Sequence, residues 1–295
     1  MRVIVLLGPT GSGKTGLVSL LDPNRYEVVS CDSRQIYADM EIGTAAPTAE
    51  EQKKIRHHLV GIIPPSEEFS AASFRDRALA VLREIFQRGR TPVLVGGSGF
   101  YFRALSTEIY DAPVNPELRS QLEARSFAEV REMLSNLDPD VLSENAGGGK
   151  VHPNDEYRIR RALEIVIITG KPLSSHWARS RAASNKEFEF SGWVLLSEGE
   201  QFEAGLLARA KKMIEAGLIE EARMVREKYG DCPALRTIGY ESALKAADGL
   251  IQRDALSVEI YTAHRRYAKR QRTWFRAEKG LSVLESRDDF LKALD

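Results

Sequence analysis

The chain opens on an unbroken apolar run, Val3-Ile4-Val5-Leu6-Leu7, which predicts a strand buried on both faces. A second run, Tyr26-Glu27-Val28-Val29-Ser30-Cys31, predicts another strand. Over residues 70–88 the period becomes helical: Phe74, Ala78, Val81, Leu82 and Ile85 fall on one side, and Gly89 stands just past the end. Pro92-Val93-Leu94-Val95-Gly96-Gly97 then reads as a buried strand running into glycines. Short apolar strands alternating with helices predict an α/β fold: a parallel sheet flanked by helices, with its ligand at the strands' C-terminal edge.

After Ala112-Pro113-Val114-Asn115-Pro116 the pattern turns helical and rich in Arg and Glu as far as about residue 184, broken at Gly147-Gly148-Gly149 and at Gly170-Lys171-Pro172. The expected organisation is an all-helical insertion, 113–186, in a core made of 1–112 and 187–295. Phe188-Glu189-Phe190-Ser191-Gly192-Trp193-Val194-Leu195-Leu196 returns a strand to the sheet, and helices follow to about Lys279.

Between the first strand and an apolar segment suited to a helix, 16–21, stands Gly8-Pro9-Thr10-Gly11-Ser12-Gly13-Lys14-Thr15, a complete G-x-x-x-x-G-K-[ST] loop. Strand, loop and helix in that order give the motif its meaning. The glycines turn backbone N–H groups toward an oxyanion, the helix N-terminus and Lys14 add positive charge, and the Thr15 hydroxyl suits a Mg²⁺ ion. The core is therefore expected to be P-loop-like and to grip a di- or triphosphate.

Other candidates gather at the same edge. Asp32 stands just past the second strand, in Ser30-Cys31-Asp32-Ser33-Arg34-Gln35-Ile36-Tyr37, as a metal ligand, a general base or a turn cap. The 92–97 strand ends in Gly-Gly-Ser and lacks the acidic terminus of a conventional NTPase. Ser98 is either a donor to a phosphate or substrate atom or an N-cap, and the cap is the simpler reading. His57-His58 lacks neighbouring ligands at metal spacing and reads as structural.

Composition and charge refine this picture. The 295-residue chain is 43% hydrophobic and 28% charged, as soluble globular proteins are. Its net charge is zero, so any nucleic-acid affinity must come from local patches. Two such patches exist. Arg158, Arg160, Arg161 and Lys171 crowd the insertion. The stretch His264-Arg265-Arg266-Tyr267-Ala268-Lys269-Arg270-Gln271-Arg272-Thr273-Trp274-Phe275-Arg276 has no acid, and on a helix Arg265, Lys269, Arg272 and Arg276 share a stripe. With Tyr261, Tyr267 and Trp274 nearby, they resemble a footprint for RNA. Two cysteines, Cys31 and Cys232, are too few for a disulfide framework or a tetrahedral zinc site, and Cys31 reads as a small buried residue. No run has the length of a membrane span, which leaves a cytoplasmic protein without a membrane partner as the expectation.

Six segments in order resemble the tRNA dimethylallyltransferases, also called tRNA isopentenyltransferases. They are the 8–15 loop; Asp32-Ser33-Arg34-Gln35-Ile36-Tyr37 running on to Ile42-Gly43-Thr44-Ala45; Val95-Gly96-Gly97-Ser98-Gly99-Phe100-Tyr101; His152-Pro153-Asn154-Asp155 leading into Arg161-Ala162-Leu163-Glu164; Arg236-Thr237-Ile238-Gly239-Tyr240-Glu241; and Lys269-Arg270-Gln271-Arg272-Thr273-Trp274-Phe275-Arg276. The resemblance implies transfer of a dimethylallyl group from dimethylallyl diphosphate to N6 of the adenosine on the 3′ side of the tRNA anticodon. It implies a diphosphate, with Mg²⁺, held by Gly8, Pro9, Thr10, Gly11, Ser12, Gly13, Lys14, Thr15 and Arg209. Asp32 is implied as the base, with Ser98, usually Thr in the family, beside it. tRNA contacts are implied for Asp32, Ser33, Arg34, Gln35, Ser98, Arg119, for Tyr157, Arg158, Ile159, Arg160 and Arg161, and for Arg236, Thr237, Ile238, Gly239, Tyr240 and Glu241. The insertion would clamp the anticodon stem-loop, and the enzyme is expected as a monomer of the shorter bacterial form, without the zinc-finger extension of eukaryotic relatives. The alternatives are a P-loop kinase of small molecules or nucleotides, with Asp32 activating a hydroxyl, and an RNA-binding P-loop ATPase.

Overall fold

The computed structural model describes residues 1–107, 114–143, 150–175, 185–278, 280–284 and 287–292. In chain order come β1 (Arg2–Leu7), α1 (Lys14–Val18), β2 (Tyr26–Cys31), α2 (Glu41–Thr44), α3 (Ala49–Lys54), β3 (His57–His58), α4 (Ala71–Gln87), β4 (Thr91–Gly96), α5 (Gly99–Ser106), α6 (Pro116–Glu123), α7 (Phe127–Leu137), α8 (Glu156–Thr169), β5 (Glu189–Val194), α9 (Glu200–Glu215), α10 (Leu218–Tyr229), α11 (Tyr240–Ala247), α12 (Arg253–Arg276), β6 (Ser282–Val283) and α13 (Arg287–Lys292).

The described strands form one sheet in the order β3-β2-β4-β1-β5-β6, every neighbouring pair parallel. This is the α/β architecture that the strand and helix pattern predicts. All six residues of β2 and Val3 to Leu7 of β1 are buried. Helices cover both faces of such a sheet, so its strands read as apolar runs instead of alternating. In α4 the Ser70 hydroxyl accepts the Ser73 amide (3.0 Å), and Phe74, Ala78, Leu82 and Ile85 are fully buried, with Val81 at the margin. Gly89, at φ 69°, takes the left-handed turn beyond the helix.

The contacts divide the chain into two compact units, residues 1–105 with 186–295, and residues 106–185. The expected boundary at 112/113, the break at Gly147-Gly148-Gly149, the insertion's helical limit near 184 and the helix limit at Lys279 lie outside the described residues. In the second unit, α6, α7 and α8 enclose Leu122, Val130, Leu134, Ile159 and Leu163. Asn115 caps α6 by accepting the Leu118 amide (3.0 Å), and Ser126 with Glu129 forms a capping box on α7.

Two departures from the sequence reading have plain causes. The helix after the loop is only five residues, with turns following Val18. The edge strands β3 and β6 have two residues each, too few to carry a period. His57 and His58 pair with Val28 and Val29 in β3; His58 Nε2 lies 2.7 Å from Glu27 and His57 Nδ1 2.9 Å from the Ile55 carbonyl, which gives both structural partners. No described helix is long and apolar enough to cross a membrane.

Candidate active site

Strand order decides which loops meet. Gly96 is in register with Leu7 on one side and Cys31 on the other, so the loops after β1, β2 and β4 start side by side. The Gly8 amide donates to the Gly96 carbonyl (3.2 Å) and the Ser98 amide to the Cys31 carbonyl (3.1 Å).

In the 8–15 loop, Gly11 and Gly13 have φ of 77° and 88°, a region that favours glycine. Leu206 and Phe202 of α9 lie directly under Gly11; a Cβ there would come within 2.7 Å of Leu206. The Lys14 ammonium donates to the carbonyls of Gly8 (2.9 Å) and Pro9 (2.8 Å) and approaches the Ser12 hydroxyl (3.3 Å). Burial pulls its pKa down to about 8; Asp32 opposes this and Arg209 reinforces it. Lys14, Asp32 and Arg209 therefore share one electrostatic field. Thr15, exposed on the first turn of α1, has a hydroxyl of the hard-oxygen type that Mg²⁺ takes. Among the described residues no cluster of three His, Cys, Asp or Glu could hold a metal. That donor set fits an ion carried mainly by phosphate oxygens and water.

Arg209, one turn beyond Leu206 on α9, has an Nε that is buried with no hydrogen-bond partner among the described residues. Burial lowers its pKa from the ordinary guanidinium value, with Asp32 opposing. His264 Nδ1 on α12 is likewise buried and unpartnered. Burial first, and Arg209 second, push that imidazole down to about 4. A partly buried guanidinium whose Nε has no acceptor among the described residues, beside a phosphate-type loop, is an anion site in chemical terms.

Asp32 Oδ1 accepts the amides of Arg34 (2.9 Å) and Gln35 (3.4 Å), which makes it the cap of its own turn; no described group hydrogen-bonds its other oxygen. Ser98 does not use its hydroxyl to cap α5. Its Oγ accepts the Ser33 amide (2.9 Å) and donates to Ser33 Oγ (3.3 Å), tying the β4 turn to the Asp32 loop. The Tyr267 hydroxyl faces Ser98 and Asp32, and burial pushes it up to about 12. Gln35 has its carboxamide engaged inside the protein, accepting from the Ser30 hydroxyl (2.9 Å) and donating to the Ala45 carbonyl (3.0 Å). Arg34 is exposed.

The residues expected to touch tRNA fall into two sets. Tyr157 is 80% exposed and the Arg158 side chain 64%. Arg236 and Glu241 are also exposed. Ile159, fully buried, belongs to the core of the second unit, a correction to the expected contact. Tyr240 needs the same correction: fully buried over Gly43, it donates its hydroxyl to Glu221 (2.5 Å), which also accepts the amides of Ile42 (2.8 Å) and Gly43 (2.9 Å). Thr237 is buried and donates to the Ala234 carbonyl (2.6 Å), Ile238 is half-buried, and Gly239 begins α11 at φ 97°. Arg160 donates to the carbonyls of Leu122 and Arg125 at the end of α6 and to Glu156. Arg119 (3.4 Å) and Arg161 (2.6 Å) both reach the buried Glu164.

The acid-free stretch is acid-free only along the chain. Glu203 pairs with Arg265 (2.8 Å), and Glu198 with Arg276 (2.8 Å) and, more loosely, Arg272 (3.9 Å). Three members of the expected RNA-facing stripe thus brace α12. Tyr261 donates to Glu203 (3.0 Å), and Trp274 lies under Arg103 (4.7 Å). The sequence reading passed over Gln271, His264 and Glu221. The first two had a signal: the buried face of α12 runs Leu256, Ile260, His264, Ala268, Gln271, Phe275, and two polar residues interrupt its apolar stripe.

The family model described as IPP transferase matches residues 35–278. The tRNA dimethylallyltransferase of Leptospira interrogans is 36% identical over 96% of this chain and 95% of its own length. A second relative, tRNA dimethylallyltransferase 1 of Citrifermentans bemidjiense, is 38% identical over 100% of this chain and 95% of its own. Among solved structures, the full-length tRNA isopentenylpyrophosphate transferase of Bacillus halodurans superposes with a TM-score of 0.67 at 33% identity, covering 99% of this chain and 94% of that one. A eukaryotic dimethylallyltransferase acting on tRNA superposes with a TM-score of 0.79 at 26% identity, covering 96% of this chain and 73% of that one.

Proposed function

This chain belongs to the IPP transferase family, and from that premise we propose its reaction: transfer of the dimethylallyl group of dimethylallyl diphosphate to N6 of the adenosine 3′-adjacent to the tRNA anticodon, giving N6-isopentenyladenosine and diphosphate. The observation that carries this reading is the meeting, at one sheet edge, of a phosphate-type loop, a buried guanidinium nitrogen without an acceptor, and a carboxylate with one uncommitted oxygen. The comparisons favour prenyl transfer over the kinase alternative.

In this reading the C1–O bond of the allylic diphosphate breaks as C1 becomes cationic, and stabilising the departing diphosphate is the main task. The amides of Gly11, Gly13, Lys14 and Thr15, which donate to no described group, together with the Lys14 ammonium and the Arg209 guanidinium, supply positive charge there. The Thr15 hydroxyl would hold a Mg²⁺ ion, which would supply further neutralisation of charge on the leaving group. The adenine leaves the anticodon-loop stack to reach the site. Its amine is a weak nucleophile because the lone pair is delocalised into the ring, and Asp32 accepts the N6 proton at its free oxygen as C1–N6 forms. Ser98 and Ser33 fix the turn that presents Asp32. The exposed Tyr157 and Arg158 of the second unit, with Arg236, meet the RNA. The enzyme acts as a monomer in the cytoplasm.

The deciding experiment is transfer of labelled dimethylallyl diphosphate to unmodified tRNA with Mg²⁺ and no ATP. Label on that N6 is the expected result; dependence on ATP, or no label with several folded tRNAs, overturns the reading.

Two further outcomes follow. Lys14 in the free enzyme loses its proton as pH rises through about 8, and the anion binds the charged form. Accordingly kcat/KM for dimethylallyl diphosphate should fall above that pH, by roughly tenfold per unit. A flat profile to pH 9.5 would remove Lys14 from diphosphate binding. On the RNA side, Arg158→Ala should reduce the salt slope of tRNA binding by about one between roughly 50 and 200 mM. Arg160→Ala should leave that slope unchanged and destabilise the second unit by about 1–2 kcal/mol, because its guanidinium satisfies the carbonyls ending α6. Binding isotherms at several salt concentrations, with thermal melts, separate the two.

A further inference from the structure

Gln271 lies on the buried face of α12, 7% exposed, between Arg270 and Arg272. Its carboxamide bonds to two different loops. Oε1 accepts the Thr10 amide (2.9 Å) in the phosphate-type loop, and Nε2 donates to the carbonyl of Gly97 (2.7 Å), the residue before Ser98. One turn on, Trp274 packs against Gly99. A Cβ at Gly99 would come within 2.3 Å of the indole, and one at Gly97 within 2.4 Å of Gln271 Nε2. The two glycines that flank Ser98 are therefore docking points for α12, where close approach forbids a side chain.

In the proposed reaction, on which this inference rests, donor and acceptor are held by different loops. The diphosphate sits in the loop after β1; Asp32, Ser33 and Ser98 follow β2 and β4. Strand pairing joins the two halves only as far as Gly96. Beyond the strand ends, Gln271 ties one loop to the other through a single rigid carboxamide. We propose that Gln271 is a positioning residue that sets the spacing between the diphosphate loop and the Ser98 turn, so that the allylic C1 meets adenine N6 and not water. Reacting atoms must lie about 3–3.5 Å apart and aligned, and an error near 1 Å can slow a reaction about 10²-fold.

The two fates of C1 differ in products. In transfer, the C1–O bond breaks with its electron pair leaving on diphosphate, C1–N6 forms, and the N6 proton goes to Asp32. In misaligned complexes a water oxygen bonds to C1 and loses a proton to solvent, giving dimethylallyl alcohol and diphosphate. Diphosphate released per prenyl group on tRNA measures the alignment directly.

The test compares the wild type with Gln271→Glu, which keeps the bond from Thr10 and loses the one to Gly97, and Gln271→Met, which keeps the length and loses both. Diphosphate and prenyl-tRNA are counted in the same reaction at saturating substrates. The expected ratio is near one for the wild type, higher for the Glu variant and highest for the Met variant. kcat for prenyl-tRNA should fall about 10- to 100-fold, with KM for tRNA within about twofold. A merely structural role lowers both products together, in step with the folded fraction, and leaves the ratio at one. That result, or an unchanged kcat in both variants, overturns the proposal; should the Met variant not fold, the near-isosteric Glu variant decides it. A wild type that makes no prenyl-tRNA overturns the proposed reaction itself, and this inference with it.

Discussion

Replacing Asp32 by Asn is expected to lower kcat for prenyl transfer by about 10²–10⁴-fold, the usual effect of removing a general base, with tRNA affinity held within about twofold. Asn is chosen because it preserves the turn: its amide oxygen can accept from Arg34 and Gln35 as the Asp32 carboxylate does at 2.9 and 3.4 Å. What disappears is the second carboxylate oxygen and the charge. A second consequence is independent of the chemistry. Asp32 raises the pKa of Lys14 against the effects of burial and Arg209, so its neutralisation should move the alkaline limb of the diphosphate profile to lower pH. Single-turnover rates on pre-bound tRNA, measured across pH, read both effects. A rate within threefold of the wild type would leave Asp32 as a turn cap and nothing more.

What the sequence disclosed about this site, and what it did not, follows from where the partners lie along the chain. The strands β1, β2 and β4 were legible because each is long enough for burial to write a largely apolar run, whereas in β5 only Val194 is fully buried. The 8–15 loop was legible because its function depends on local backbone shape. Asp32 and Ser98 were visible as residues just past strand ends. Their coupling through Ser33 was not, since it joins positions 65 apart. The stretch 264–276 was read only in part for the same reason: Glu203 and Glu198 stand 62 and 78 residues from Arg265 and Arg276, and only tertiary packing reveals that part of its charge is paired, while Arg266, Lys269 and Arg270 stay exposed. Tyr240 and Ile159 sit within motif-like segments, yet one holds the Glu221 clasp and the other a core position. Segment-level resemblance does not distinguish residues that face a ligand from residues that hold the segment in place.

Replacing Arg209 by Met should have opposite effects on stability and on activity. The Nε of Arg209 is buried without an acceptor, and burial outweighs the attraction of Asp32 in shifting its guanidinium. Its charge is therefore a strain on the unliganded fold. Met keeps a long apolar stem on α9, where Leu206 and Met213 are buried, and removes that strain. The unliganded protein should melt about 2 °C higher, corresponding to roughly 1 kcal/mol. At the same time kcat/KM for dimethylallyl diphosphate should fall about 10²–10³-fold, as when one donor is removed from an anion hole. His264 cannot substitute as a cation, because its pKa near 4 keeps it neutral at neutral pH. Melting curves with and without inorganic diphosphate test both halves together. In the wild type, saturating diphosphate raises the melting temperature by mass action; a 100-fold weaker site forfeits about 2.7 kcal/mol of that stabilisation. A higher melting point without ligand and a smaller increment with it identify Arg209 as a group retained for the diphosphate at the expense of the fold. A lower melting point with an unchanged increment would instead make it a structural residue, and the diphosphate would then depend on Lys14 and the loop amides alone.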